Sequence, residues 1–223
     1  MAQSKKILVV EGETDKSFFK ALCKKLDLNT IVRIAPPKEL APDEYNSKQG
    51  VFNYLKGILP QLDDGEFTNI AIIVDADYIK FGQGKSKTLE TVCKLLTPFG
   101  FELKPNDTNQ NGFVFIHSDG LNDFGLWIMS NNSAEGMLED WVISCIKEDE
   151  AQLFQQAKTT IQQLLPQKFQ PHHQAKAEVA TWLAWQKKPD YGIYTVFNDE
   201  LLDENSSSFT ELNDWLNTIF LAN

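Results

Sequence analysis

No stretch of this sequence approaches the roughly 18 consecutive apolar residues that a membrane-spanning helix requires. Its unbroken apolar runs are strand-sized, such as "ILVV" (7–10) and "IAIIV" (70–74). Cysteine is scarce, and Cys23, Cys93 and Cys145 stand far apart, each inside a helix-like pattern. That spacing fits neither a zinc site nor a disulfide framework, so all three read as reduced core residues. Positive charge is also short: 21 Lys and Arg against 31 Asp and Glu give a net charge of −10. Such a surface opposes nonspecific attraction to a polyanion, so a nucleic-acid partner would depend on metal ions and local basic residues. Low-complexity tracts and internal repeats are absent, which leaves an ordinary globular composition. With "MAQSKK" running straight into a strand-like segment, a soluble, cytoplasmic protein with no membrane partner is expected.

What is present is enough for one sizeable core: 223 residues, 42% of them hydrophobic. Residues 5–10 read as a strand, and 14–26 as a helix with Phe18, Leu22, Cys23 and Leu26 on one face. A strand within 29–35 is closed by Pro36 and Pro37, and a helix over 47–59 is ended by Pro60. Residues 68–77 carry the continuous apolar run of a strand covered on both faces. A helix over 86–96 follows, then strands over 112–118 and 125–130 placed to pair antiparallel at one edge, then helices over 134–147 and 149–165. Strands alternating with helices predict an α/β fold, a Rossmann-like, mostly parallel sheet flanked by helices. Beyond Pro166 come a helix, the strand-like "YGIYTVF" (191–197), an acidic loop, and a terminal helix carrying Phe209, Leu212, Trp215, Leu216 and Ile219. The expected organisation is an α/β domain over 1–148 and a mainly helical region over 149–223 packed on it.

Ligands of parallel α/β sheets sit beyond the carboxyl ends of the strands, where strand order reverses. Carboxylates fall at those ends here. Glu11 closes the first strand, and Asp75 and Asp77 close the strongest one, as "IIVDAD". Alternation along an extended chain would put Asp75 and Asp77 on one side, suited to a hard cation such as Mg²⁺ with its oxygen ligands. Further on, "SAEGMLED" places Glu135 and Glu139 four apart, expected on one face of a helix capped by Asn132 or Ser133. For that pair taken alone, a solvated helix face is the leading reading.

In combination, "ILVVEGETD" followed by "IIVDAD" resembles the Toprim domain shared by topoisomerases, bacterial primases and OLD-family nucleases, over roughly residues 5–145. The resemblance implies that Glu11 is a general acid/base or metal ligand and that Asp75 and Asp77 hold Mg²⁺ (or Mn²⁺). Asp15 stands where OLD-type domains carry a second acid, and Glu135 with Glu139 resemble their later acidic pair, together a two-metal pattern. The segment "HHQAKAEVATWLAWQKKP" (172–189) is similar to one in small Toprim-like proteins of the DUF3226 type. There a lysine opens the helix, which implies that Lys176 stabilises phosphate charge in a transition state. Trp182 and Trp185 in the same segment are expected to be core residues or a cover over the sheet rather than base-stacking platforms.

The expected activity is therefore Mg²⁺-dependent, nuclease-type phosphodiester cleavage, with DNA or RNA as the partner and a protein partner or homodimer left open. Two alternatives stand beside it. A DxD phosphatase of the haloacid dehalogenase type would use Asp75 as nucleophile, leaving Glu11 without a role. A non-catalytic module binding a metal, a nucleotide or a protein would suit the acidic surface. His172 and His173 are expected to point apart on a helix, and "GQGKSKT" (82–88) lacks the second glycine of a P-loop and reads as a basic flap.

Overall fold

The computed structural model describes residues 5–34, 43–105, 112–189 and 192–221. Pro36 and Pro37 lie outside the described residues. The chain runs β1 (Lys6–Val10), α1 (Glu13–Lys25), β2 (Ile31–Ile34), α2 (Lys48–Ile58), α3 (Pro60–Asp63), β3 (Asn69–Asp75), α4 (Lys85–Leu96), β4 (Phe101–Leu103), β5 (Phe113–His117) and β6 (Phe124–Met129). It continues with α5 (Leu138–Ser144), α6 (Ala151–Gln162), α7 (Gln174–Ala184), α8 (Thr195–Asn198) and α9 (Ser207–Leu221). The six strands form one sheet in the order β2-β1-β3-β6-β5-β4. β1 pairs in parallel with both β2 and β3, and β3 with β6, while β5 runs antiparallel to its neighbours. The fold is α/β, a mostly parallel sheet with a C-terminal helical layer.

Side chains alternate along each strand, and the sheet therefore feeds two cores. Ile7, Val9, Ile70, Ile72 and Val74 face α2, α3 and α4. Leu8, Val10, Ala71, Ile73 and Trp127 face α1 and the helices from α5 onward. α9 is the lid of the second core: Trp215 lies 5.4 Å, ring to ring, from Trp127, and its indole N–H donates to the Phe113 carbonyl at 3.3 Å. The last carbonyls of α9 have no partner within the helix. The Asn69 amide supplies one at Ile219 (2.8 Å), and the Lys6 ammonium donates to Phe220. Both donors sit at the first residues of β3 and β1, so α9 is pinned to the amino edge of the sheet, away from the carboxyl ends.

Several expectations change. The short β4 had no sequence signal and takes the edge beside β5, so the antiparallel β5–β6 pair lies one strand inward. The helix expected over 134–147 begins only at Leu138, because the carbonyls of Ala134 and Gly136 accept from the backbone of Lys85 (3.0 Å) and Ala76 (3.1 Å). Its N-cap is Met137, whose amide donates to the Asp140 carboxylate at 2.8 Å, and the Asn132 side chain is instead buried against the Ile128 amide. "YGIYTVF" contributes no strand among its described residues. Thr195, Val196 and Phe197 donate to carbonyls three residues back, and Ile193, Val196 and Phe197 share one buried face. Pro60 does not stop the chain's helical course either; it opens α3 directly after α2. Helix α6 is shorter than the expected 149–165, and Trp182 is fully buried while Trp185 is 40% exposed. No helix among the described residues is long and apolar enough to cross a membrane.

Candidate active site

The reversal of strand order falls at β1, which has β2 on one side and β3 on the other. Glu11 is the first residue beyond β1, and its Oε1 accepts a hydrogen bond from the Asp75 amide at 2.8 Å. One carboxylate thus ties together the carboxyl ends of two adjacent parallel strands. The turn that follows is tight. A Cβ on Gly12 would sit 2.3 Å from the Asn46 side-chain oxygen, which accepts from the Glu13 amide. At the start of α1 the Asp15 carboxylate accepts from the Gly12 amide at 3.1 Å. Gly12 has no side chain to reciprocate, so this is half of a capping box.

Asp75 is the last residue of β3, and the extended chain ends with it. Asp77 has φ of +60°, in the left-handed region, and bridges to Gly136. Strict alternation therefore does not bring the two aspartates together; a turn does. Asp77 is held by Lys48, whose ammonium lies 2.5 Å from its carboxylate. Lys48 opens α2 and is only 11% exposed at its side chain. It lacked a sequence signal, because nothing before folding brings the start of α2 under the end of β3.

A cleft of about 480 Å³ opens over these groups, lined by Glu11, Asp75, Asp77, Tyr78, His172 and Lys176, among others. Tyr78 donates through its hydroxyl to the His172 carbonyl at 3.0 Å, joining the segment after β3 to the turn before α7. His172 and His173 do not diverge on a helix; they occupy a 3₁₀ turn with rings 4.1 Å apart, and both line the cleft. Lys176 projects from the first turn of α7. Glu139, on the first turn of α5, is buried at the border where Lys176 also stands and lines an adjoining compartment. Glu135 is not on a helix with it: it lies in the preceding turn, accepts from the Ile79 amide and is not among the residues that line either compartment, though its charge acts on Tyr78. The basic "GQGKSKT" places Gln83 on the cleft wall and starts α4 at Lys85.

The electrostatics follow from crowding. Burial pushes the Glu11 carboxyl up to about 8, against the pull of the Lys48 ammonium and the Asp75 amide, with Asp15 and Asp77 adding to the rise. Asp75 lies well above its ordinary range, first through burial, then through Glu11, Asp15, Glu139 and Asp77. Asp15 and Glu139 are also raised by burial, and Lys176 opposes the rise in both. His173 is lowered, first by desolvation and then by the electrostatic effect of neighbouring His172 and Lys176. Crowded carboxylates with raised pKa values at the carboxyl edge of a sheet are the marks of a functional site.

A hard divalent cation suits this donor set chemically, since every carboxylate is an oxygen ligand and no hydrogen-bond donor reaches the Asp75 carboxylate among the described residues. Among the described residues no three His, Cys, Asp or Glu side chains are drawn into a ready-made shell. Mg²⁺ tolerates that arrangement, because it keeps several waters and binds through one or two carboxylates plus a substrate phosphate.

No curated protein and no solved structure matches the chain. One family, described as "Protein of unknown function (DUF3226)", matches residues 5–221, almost the entire sequence. The buried cluster at the ends of β1 and β3, and the lysine of α7 that faces it, are therefore features of a chain that belongs to the DUF3226 family.

Proposed function

We propose that this protein is a Mg²⁺- or Mn²⁺-dependent phosphodiesterase, a nuclease-type hydrolase on a Toprim-like sheet. The observation that supports the reading is the hydrogen bond from the Asp75 amide to Glu11 at the switch point, with Asp15, Asp77 and Lys176 around it. Asp75 and Asp77 are the metal ligands of this reading, with Glu11 and Asp15 beside them. When bound, the cation neutralises phosphoryl charge and makes water a better nucleophile. The protein's own groups do the rest. Lys176 offsets the negative charge on the phosphate oxygens, and Glu11, whose carboxyl burial raises, is the acid that donates to the departing alkoxide. Water adds to phosphorus and the P–O bond to the alcohol breaks; the alkoxide takes the Glu11 proton, the attacking water gives up one proton to solvent and keeps the other as P–OH, and Glu11 regains a proton from solvent, so that one phosphomonoester and one alcohol form. A DxD phosphatase using Asp75 as nucleophile would not need Glu11 clamped to the Asp75 backbone.

The test is hydrolysis of plasmid DNA, single-stranded DNA and short diesters with Mg²⁺ or Mn²⁺. Cleavage is expected with either metal and is expected to vanish in Asp75→Ala. Absence of cleavage of every diester with both metals would remove the catalytic reading and leave a binding module, which the net charge of −10 would then favour.

A further inference from the structure

The acidic cleft does not end at Lys176. A second compartment of about 460 Å³ adjoins it, and Lys176 lines both. The character of the walls changes there. Val179, Ala180 and Leu183 of α7 face Ile193, with the Thr14 hydroxyl and the Glu139 carboxylate as the polar groups. Glu139 is 8% exposed; its carboxylate accepts from its own backbone amide, and among the described residues no side chain donates to it. That backbone donor leaves further acceptor capacity on the carboxylate, which a ligand's donor can take up beside Lys176.

Charge limits what that ligand is. A polymer needs several cations along its path. Here the net charge is −10, the sequence holds a single arginine, Arg33, on β2, and Lys48 is engaged by Asp77. Among the described residues that line the two compartments Lys176 is the one lysine, so a phosphate at the junction meets one ammonium. We infer that the adjoining compartment is the nucleoside-binding half of the substrate site, and that the substrate is a small nucleotide diester. Its phosphate lies at Lys176, its base between Leu183 and Ile193, and a base or sugar donor reaches Glu139. A volume of this size is within the range of small-molecule pockets. The inference rests on the phosphodiesterase reading for the reaction, and on the compartment alone for the ligand.

Calorimetric titration with Ca²⁺ in place of Mg²⁺ compares the dinucleoside monophosphate ApA with dimethyl phosphate, which has the diester and no base. ApA is expected to bind at least about tenfold more tightly, from the apolar surface its base buries. Ala180→Trp, at an exposed position of α7, is expected to erase that difference without lowering the melting temperature. Equal affinities, no measurable ApA binding, or an unchanged preference in Ala180→Trp would overturn the assignment. ApA preference without turnover in Mg²⁺ would uphold the compartment and remove the catalytic reading; turnover without preference would do the reverse.

Discussion

Burial and charge work against each other at Glu11, and the result is legible in pH. The carboxyl ordinarily titrates near 4.5, and in the fold it holds its proton up to about 8. Between those values the folded chain binds more protons than the unfolded one, so stability falls as pH rises. Glu11's contribution is full below about pH 4.5 and gone above about pH 8, and Asp75, Asp15 and Glu139 act in the same direction. Thermal unfolding in a chelator should therefore show a melting temperature that declines from pH 5 to 8, a loss of the order of a few kcal/mol. Glu11→Gln should flatten the decline. Lys48→Met should move it to higher pH, because the ammonium is what holds the Glu11 value down. At this scale Glu11, Asp75 and Asp77 could be read from strand-end spacing alone. Lys48 could not, and Glu135 was misread because a backbone contact to Ala76, invisible in the sequence, keeps residue 136 from becoming helical.

Among the elements, α9 is closely fitted to the sheet. Gly125 lies in β6 beneath it, and a Cβ there would stand 2.8 Å from Ile219 and 2.9 Å from Trp215. Gly125→Val should push α9 off the sheet and cost about 1–3 kcal/mol, measured as a drop in the denaturation midpoint with unchanged slope. The strands and helices with strong apolar periodicity, such as β3, α1 and α9, are placed in the structure close to where the sequence predicts them. Two of the misread elements were decided by their tertiary neighbours. "YGIYTVF" has strand-like composition yet buries Ile193, Val196 and Phe197 at helical spacing, and β4 is three residues held by its pairing with β5. In both, tertiary burial outweighs a weak local preference.

For the whole molecule, the consequential fact is that residues beyond 149 share a core with the sheet. Trp127, Val114 and Met129 belong to the same buried cluster as Trp182, Phe197, Trp215 and Phe220. A chain ending at residue 148 would expose the face of β1, β3 and β6 that these side chains cover. It should lose its cooperative unfolding transition and bind hydrophobic dye, as judged by calorimetry and fluorescence. A folded, cooperative fragment would instead mean that the helical layer is an independent unit. The same layer supplies Lys176 and the histidine turn to the cleft, so the site is completed only when α7 docks.

The sequence by itself determined which segments are apolar enough to be buried and which acids stand at strand ends, because strand and helix periodicity are local properties of the chain. It therefore determined the α/β class; the pairing of Glu11 with the IIVDAD stretch was implied only by the family resemblance, and the Asp75 amide makes it in the fold. Tertiary structure alone decided that Lys48 neutralises Asp77, that Glu139 turns toward an aliphatic chamber, and that Glu135 stays outside. Those outcomes depend on which elements become neighbours across the sheet, and neighbourhood is set by the packing of two cores that no local window contains.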